Sequence, residues 1–138
     1  MGICLTCGQK TKRNTYKYCS VKCQCDNQYN EYIQKWKKGL VSGNRGTAAK
    51  NISGHLVRYL RKKYGEKCSL CEWNKIHSIT GKVPLEIDHI NGNSDDNSEE
   101  NLRLICPNCH ALSENFRNLN KGKGRAWRMT KYKNSSIN

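Results

Sequence analysis

The sequence predicts a small α+β protein that depends on metal-binding cysteines as well as on a hydrophobic core. Only 36% of its 138 residues are hydrophobic, so burial of apolar side chains alone gives limited stability to a chain of this length. Eight of its nine cysteines occur in closely spaced groups, which in a reducing compartment indicate metal sites rather than disulfides. Two helical patterns come first, and a segment of strand, loop, strand and helix follows.

The first cysteine group predicts an N-terminal zinc finger. Cys4, Cys7, Cys19 and Cys23 follow the spacing C-x2-C-x11-C-x3-C, which is typical of a structural zinc site. Cys25 is left over as a plain thiol. It is also the alternative to Cys23 as the fourth ligand if the register of the finger differs.

A Lys-rich helix is predicted to complete the first domain, which spans residues 1–38. Ser20 is a suitable N-cap for this helix, and the glycine at position 39 suits its end. Residues 39–50 contain three glycines and no apolar periodicity, so they are expected to form a flexible linker that carries Arg45 and Lys50.

The second domain is expected at residues 51–120 and begins with a helix from Ser53 to Tyr64. Leu56 and Leu60 recur on one side of this helix and predict its buried face. Its other side is basic, which fits either contact with a phosphate backbone or an ordinary solvated face. The basic side carries Arg58, Arg61, Lys62 and Lys63.

Charge is distributed unevenly along a chain whose net charge is +14. Residues 1–67 carry 15 basic and 3 acidic side chains, whereas residues 68–117 carry 4 basic and 8 acidic ones. Residues 118–138 carry six basic residues and no acidic ones. Such basic arms favour a polyanion, most commonly nucleic acid, and the alternative is a surface that only keeps the protein soluble.

The end of the chain, residues 121–138, is predicted to be a separate basic tail. Aromatic residues alternate there with cations, a pattern that suits contact with a nucleic-acid backbone or groove. A disordered tail is the alternative. The cations proposed to bind DNA in this segment are Lys121, Lys123, Arg125 and Arg128.

The second cysteine group predicts another structural zinc site. Cys68 and Cys71 form one C-x2-C pair, and Cys106 and Cys109 form another after a gap of 34 residues. Four thiolates at this spacing suit one tetrahedral zinc ion. Between the pairs lie a short strand that ends at an Asp-His dipeptide, a polar loop, a second strand and a helix that begins near the proline at position 107.

This arrangement over residues 66–117 resembles the HNH endonuclease family. The resemblance depends on Asp88-His89, on Asn101 and on Cys109-His110, with Asn101 and His110 nine positions apart. It implies an α+β fold with a small zinc-stabilised ββα-metal (His-Me) finger core. The cysteine finger and Lys-rich helix that precede it are similar to the appended finger of small phage-type HNH proteins.

Hydrolysis of a phosphodiester needs a base, a divalent ion and a residue that keeps the base oriented. His89 suits the base, because the unperturbed pKa of histidine is about 6.5. The resemblance implies that Asp88 and His110 hold one Mg²⁺ or Mn²⁺ ion, and that Asn101 stabilises the loop and helps to orient His89. Glu114 follows His110 by four residues on the expected helix, so it is either a third ligand or an exposed carboxylate.

The expected protein is a metal-dependent HNH endonuclease that hydrolyses DNA by nicking or by double-strand cleavage. Its expected cofactors are two structural zinc ions and one catalytic divalent ion. The alternative is a non-catalytic zinc-finger protein that binds or regulates DNA. No apolar run approaches the roughly 18 residues of a membrane span, and the first residues lack a signal peptide's hydrophobic stretch. A location in the cytoplasm is therefore expected, and the resemblance to phage-type proteins implies a bacterial host cell. The expected state is a monomer or a homodimer.

The charge map predicts that the basic arms provide most of the affinity for DNA. Deletion of residues 121–138 removes six positive charges. The slope of log K against log salt should become shallower, by up to about 0.9 for each phosphate of duplex DNA that the truncated protein no longer neutralises. A salt titration of full-length and truncated protein measures this slope, and an unchanged slope would mean that the tail does not touch DNA.

Overall fold

The computed structural model describes residues 1–45 and 51–120. It divides the chain into two compact units, Met1–Ser42 and Gly43–Asn138, with the boundary inside the predicted 39–50 linker. In this part of the chain, no helix is both long enough and apolar enough to cross a membrane. The elements are α1 (Val21–Lys37), α2 (Gly54–Tyr64), β1 (Glu86–His89), β2 (Leu102–Ile105) and α3 (Pro107–Ala111), with 3-10 turns at Glu99–Asn101 and Arg117–Asn120.

The first unit consists of the cysteine finger and α1. Ser20 caps this helix, and its hydroxyl oxygen accepts a hydrogen bond from the Cys23 N–H at 3.2 Å. Tyr29, Ile33 and Trp36 recur every three or four residues and are buried, so one stripe of the Lys-rich helix is packed.

The second unit is built on the packing of α2 against β2. Leu56 and Leu60 of α2 are fully buried. Leu102 and Leu104 of β2 are each only 1% exposed. Ser53 caps α2 at its start, and the helix ends at a glycine in the left-handed conformation. Both features agree with the predicted helix boundaries.

The two strands form an antiparallel hairpin that carries the polar site residues. Glu86 pairs with Ile105, Asp88 pairs with Arg103, and His89 pairs with Leu102. Helix α3 follows β2 directly, beginning at a proline in its first turn. The order strand, strand, helix, together with a four-cysteine cluster in each unit, confirms the predicted small α+β fold.

Helix α3 is shorter than expected. It ends at Ala111, and the Ser113 hydroxyl donates to the His110 carbonyl at 2.7 Å. In a longer helix the N–H of Glu114 would donate a hydrogen bond to the His110 carbonyl. The expectation that Glu114 and His110 share a helix face is therefore wrong.

Part of the predicted linker is folded into the second unit. Asn44 forms an isolated bridge with Ile52, so this segment is paired rather than free. Gly43 has φ of +82°, and a Cβ there would lie 2.8 Å from Leu56 Cδ1. Only glycine allows so close an approach of the backbone to the core. The remaining linker residues, 46–50, lie outside the described residues.

Candidate active site and metal centres

The N-terminal cluster brings together the sulfur atoms of Cys4, Cys7, Cys19 and Cys23 within 4.8 Å of one another. Cys19 Sγ lies 3.5 Å from the Sγ atoms of both Cys7 and Cys23. A tetrahedral zinc with Zn–S bonds of about 2.3 Å would place its ligands about 3.8 Å apart, so this donor set fits zinc. Cys25 is exposed and lies outside the cluster, so Cys23 is the fourth member.

The second cluster consists of Cys68, Cys71, Cys106 and Cys109, and it also fits one zinc ion. The Sγ atoms of Cys71 and Cys106 lie 3.7 Å apart. Cys68 and Cys106 belong to a buried core with Ile105 at the end of β2. This cluster joins the turn after α2 to the start of α3, and it thereby fixes the position of the residue after Cys109, which is His110.

The acidity of the thiols differs sharply within the second cluster. Burial raises the pKa of Cys68, but hydrogen bonds from the backbone of Cys71 and Cys106 outweigh it and lower this pKa to about 6. A hydrogen bond with the Cys71 side chain, assisted by burial, raises the pKa of the Cys109 thiol to about 12. Four thiolates therefore form only with a cation, and protons compete with zinc. Zinc binding must displace the protons of the thiols with raised pKa, so zinc affinity is expected to fall as the pH falls.

Asp88 and His110 form the centre of the candidate active site. Asp88 lies on β1 with a side chain only 7% exposed, and its Oδ2 accepts a hydrogen bond from Arg103 Nε at 2.7 Å. Its other oxygen, Oδ1, lies 4.0 Å from His110 Nε2. Arg103 compensates the buried carboxylate, because a buried charge without a partner is costly. The structure thus places the two expected metal ligands side by side.

Glu86 is a site residue that the sequence analysis missed. Its Oε2 contacts His110 Nδ1, on the opposite edge of the imidazole from Asp88. Glu86 and Asp88 are two residues apart on β1 and therefore share a face of the strand. That period of two was visible in the sequence. The Phe116 ring packs edge-on against His110, with 5.3 Å between ring centroids.

His89 has different neighbours from Asp88, as expected for consecutive residues of a strand. Its Nε2 lies 2.8 Å from Asn97 Oδ1, while Asn97 Nδ2 donates to Asn44 Oδ1 at 3.1 Å. An amide oxygen only accepts, so Nε2 of His89 is the donor and the lone pair of the neutral ring is on Nδ1. Asn97 and Asn44 were not predicted, because a polar loop and an expected linker carry no signal for this contact.

Asn101 fastens the loop between the strands. Its Oδ1 accepts from the Asn91 N–H at 2.9 Å, and its Nδ2 donates to the Asp96 carbonyl at 2.8 Å. Among the described residues, the side chain that hydrogen-bonds to the His89 ring is Asn97, whereas the Asn101 side chain bonds to the backbone of the loop. Hydrogen bonds from the hydroxyl and the N–H of Ser98 lower the pKa of Asp96, which also belongs to this loop.

Glu114 is exposed and lies beyond the end of α3. It lines a groove of about 430 Å³ together with Arg103, Ile90 and Cys109. The carboxylates next to His110 are those of Glu86 and Asp88 on β1. The argument that placed Glu114 beside His110 on one helix face therefore no longer supports Glu114 as a third ligand.

The basic face of α2 borders a second groove, of about 550 Å³. Arg61 donates to Glu66 at 2.6 Å, and Lys63 lies 3.4 Å from Glu99, so both charges are partly balanced within the protein. The groove is lined by Arg58, Arg61 and Lys62, together with the unpredicted Lys82. Arg45 is exposed. Lys50, Lys121, Lys123, Arg125 and Arg128 lie outside the described residues.

The two clusters predict two zinc ions per chain, with the second required for folding of the site. Cys68→Ser should reduce the zinc content to one and unfold the second unit, because small metal domains gain their folding energy from the ion. Cys25→Ser is the matched control and should keep both ions, because this thiol lies outside both clusters. Elemental analysis and thermal unfolding measure the outcome. Unchanged zinc content and stability in Cys68→Ser would contradict the assignment.

Comparison with known proteins agrees with this geometry. The family model described as HNH endonuclease matches residues 68–116, from the first cysteine of the second cluster to Phe116. A relative from Escherichia phage T5, named H-N-H endonuclease F-TflIV, is 32% identical over 96 residues. The match covers 67% of this chain and 40% of that relative, so the chain spans well under half of the relative's length.

None of the solved structures matches the chain significantly. The family match includes both strands of the hairpin, helix α3, and the Asp88, His89 and His110 side chains. The second cysteine cluster lies wholly inside it. The segment that spans residues 68–116 is therefore an HNH-family domain.

Proposed function

We propose that the protein is a metal-dependent endonuclease that hydrolyses phosphodiester bonds of DNA. The observation that carries the proposal is the pairing of Asp88 Oδ1 with His110 Nε2 at 4.0 Å, next to a histidine, His89, with a defined donor nitrogen. The similarity to a phage protein named as an endonuclease supports it. The proposed site of action is the cytoplasm of a bacterial host cell.

Asp88 and His110 are the proposed ligands of the catalytic ion. Carboxylate oxygen and imidazole nitrogen suit Mg²⁺, Mn²⁺ and similar divalent ions. The 4.0 Å between these two donor atoms is longer than the roughly 3.0 Å between neighbouring ligands of an octahedral ion, so the two side chains would move closer together to hold one. When bound, such an ion would polarise the scissile phosphate and offset the charge on its oxygens.

His89 is the proposed general base. Its Nε2–H donates to Asn97, so the free lone pair on Nδ1 can accept a proton from a water molecule. Asn44 holds the Asn97 amide in the orientation that this contact needs. Asn101 keeps the same loop in place, and it is a scaffold residue in this proposal.

DNA is the proposed substrate because of the charge distribution. The net charge of +14 comes from residues outside the acidic segment 68–117, and such cations bind DNA phosphates. Arg58, Lys62 and Lys82 border one groove and are the proposed backbone contacts in the second unit. Arg103 presents a guanidinium beside the site and lines the other groove.

One site of this kind cuts one strand in each encounter. We therefore expect a monomer to nick duplex DNA first. Linear product then needs a second nearby nick or a homodimer with two sites. Time courses on supercoiled plasmid separate these cases, because a nicked intermediate precedes linear DNA only when the cuts are independent.

The base assignment predicts that His89→Ala abolishes cleavage of supercoiled plasmid in Mg²⁺ or Mn²⁺. Loss of a general base costs about 10² to 10⁴ in rate. His77→Ala is the matched control, because within the described residues the His77 ring accepts from N–H groups of its own turn, at Ile79 and Thr80. Its cleavage rate should equal that of the wild type.

Single-turnover rates on proteins of equal zinc content give the comparison. Parental activity in His89→Ala would refute the base assignment. If the wild-type protein itself leaves the plasmid intact with either ion, the activity proposal fails. The non-catalytic zinc-finger DNA-binding protein would then be favoured.

A further inference from the structure

We propose that Glu86 is a positioning residue that fixes the tautomer and the ring orientation of His110, so that Nε2 faces Asp88 with a free lone pair. The inference rests on the proposed function in one respect, namely that His110 holds the catalytic ion. The tautomer itself is a property of the protein without that ion.

The contact between Glu86 and His110 defines which ring nitrogen carries the proton. An ionised carboxylate can only accept hydrogen bonds, so Nδ1 of His110 must donate to Glu86 Oε2. In the neutral imidazole the other nitrogen, Nε2, then has the lone pair. That nitrogen is the one that lies 4.0 Å from Asp88 Oδ1.

The ring is restrained from two further directions. The edge-on packing of Phe116 against the imidazole limits rotation about the Cβ–Cγ bond. Glu86 is paired in register with Ile105, whose side chain is fully buried in the core that contains Cys68 and Cys106. The carboxylate is therefore presented from a rigid strand, although the side chain itself is half exposed.

This arrangement resembles a general feature of metal sites. Histidine ligands usually donate their second ring N–H to a carboxylate or a carbonyl, which raises the basicity of the ligating nitrogen. Loss of that partner typically lowers metal affinity by about 10-fold to 100-fold. Glu86 is thereby distinguished from Asp88, which faces the ligating nitrogen rather than the protonated one.

The first experiment reads the tautomers directly. Long-range ¹H–¹⁵N spectra of the zinc-loaded protein, recorded without Mg²⁺, Mn²⁺ or DNA and well above the ordinary histidine pKa of about 6.5, distinguish the two forms. His110 should be the Nδ1–H form, whereas His89 and His77 should be Nε2–H forms. Those two rings are internal references.

Two substitutions at the same position separate positioning from loss of packing. Glu86→Ala should shift His110 toward the Nε2–H tautomer and leave His89 and His77 unchanged. Glu86→Gln should restore the Nδ1–H form, because its amide oxygen still accepts the hydrogen bond. Glu100→Ala is the charge-matched control and should leave all three rings unchanged, because Glu100 is exposed in the 3-10 turn before β2.

Mn²⁺ affinity, measured by electron paramagnetic resonance, gives the second readout. Glu86→Ala should bind Mn²⁺ about 10-fold to 100-fold more weakly, and Glu86→Gln should recover most of this loss. An unchanged His110 tautomer in Glu86→Ala would overturn the inference. Equal loss of affinity in both variants would also overturn it, by indicating a direct ligand. A plasmid that stays intact would refute the nuclease proposal and leave the tautomer result standing.

Discussion

The cluster of Cys68, Cys71, Cys106 and Cys109 is the constraint on which the rest of the second unit depends. The hairpin has only four residues in each strand, and α3 has five, so neither element is stable by itself. Four sulfur ligands join them to the turn after α2, while α2 covers the inner face of β2. Because His110 directly follows Cys109, the same cluster that stabilises the fold also positions the imidazole ring that faces Asp88.

The alternation of β1 divides the chemistry between two sets of contacts. Glu86 and Asp88 meet His110, whereas His89 meets Asn97 in the loop. The two histidines consequently have opposite tautomers, with the free nitrogen of each available for a different task. In the proposed reaction, this four-residue strand supplies one metal ligand, the partner of a second ligand, and the base.

The sequence allowed prediction of features that depend on local spacing. Cysteine spacing predicted both clusters, and the Ser20 and Ser53 caps predicted where α1 and α2 begin. Features that depend on distant contacts were not predictable. Asn44 and Asn97 are 53 residues apart, and only the folded chain brings their amides together. The error at Glu114 arose because α3 ends at Ala111, where the N–H and the hydroxyl of Ser113 both donate to the His110 carbonyl. Periodicity does not reveal such local hydrogen bonds.

The most direct test of the account is the location of the divalent ion within the zinc-loaded protein. Substoichiometric Mn²⁺ broadens the NMR signals of nearby nuclei. Broadening should be strongest at Asp88 and His110, and it should weaken toward the loop of Asp95 and Asp96. Strongest broadening at those loop carboxylates or at Glu114, with the Asp88 and His110 signals intact, would contradict the proposed site.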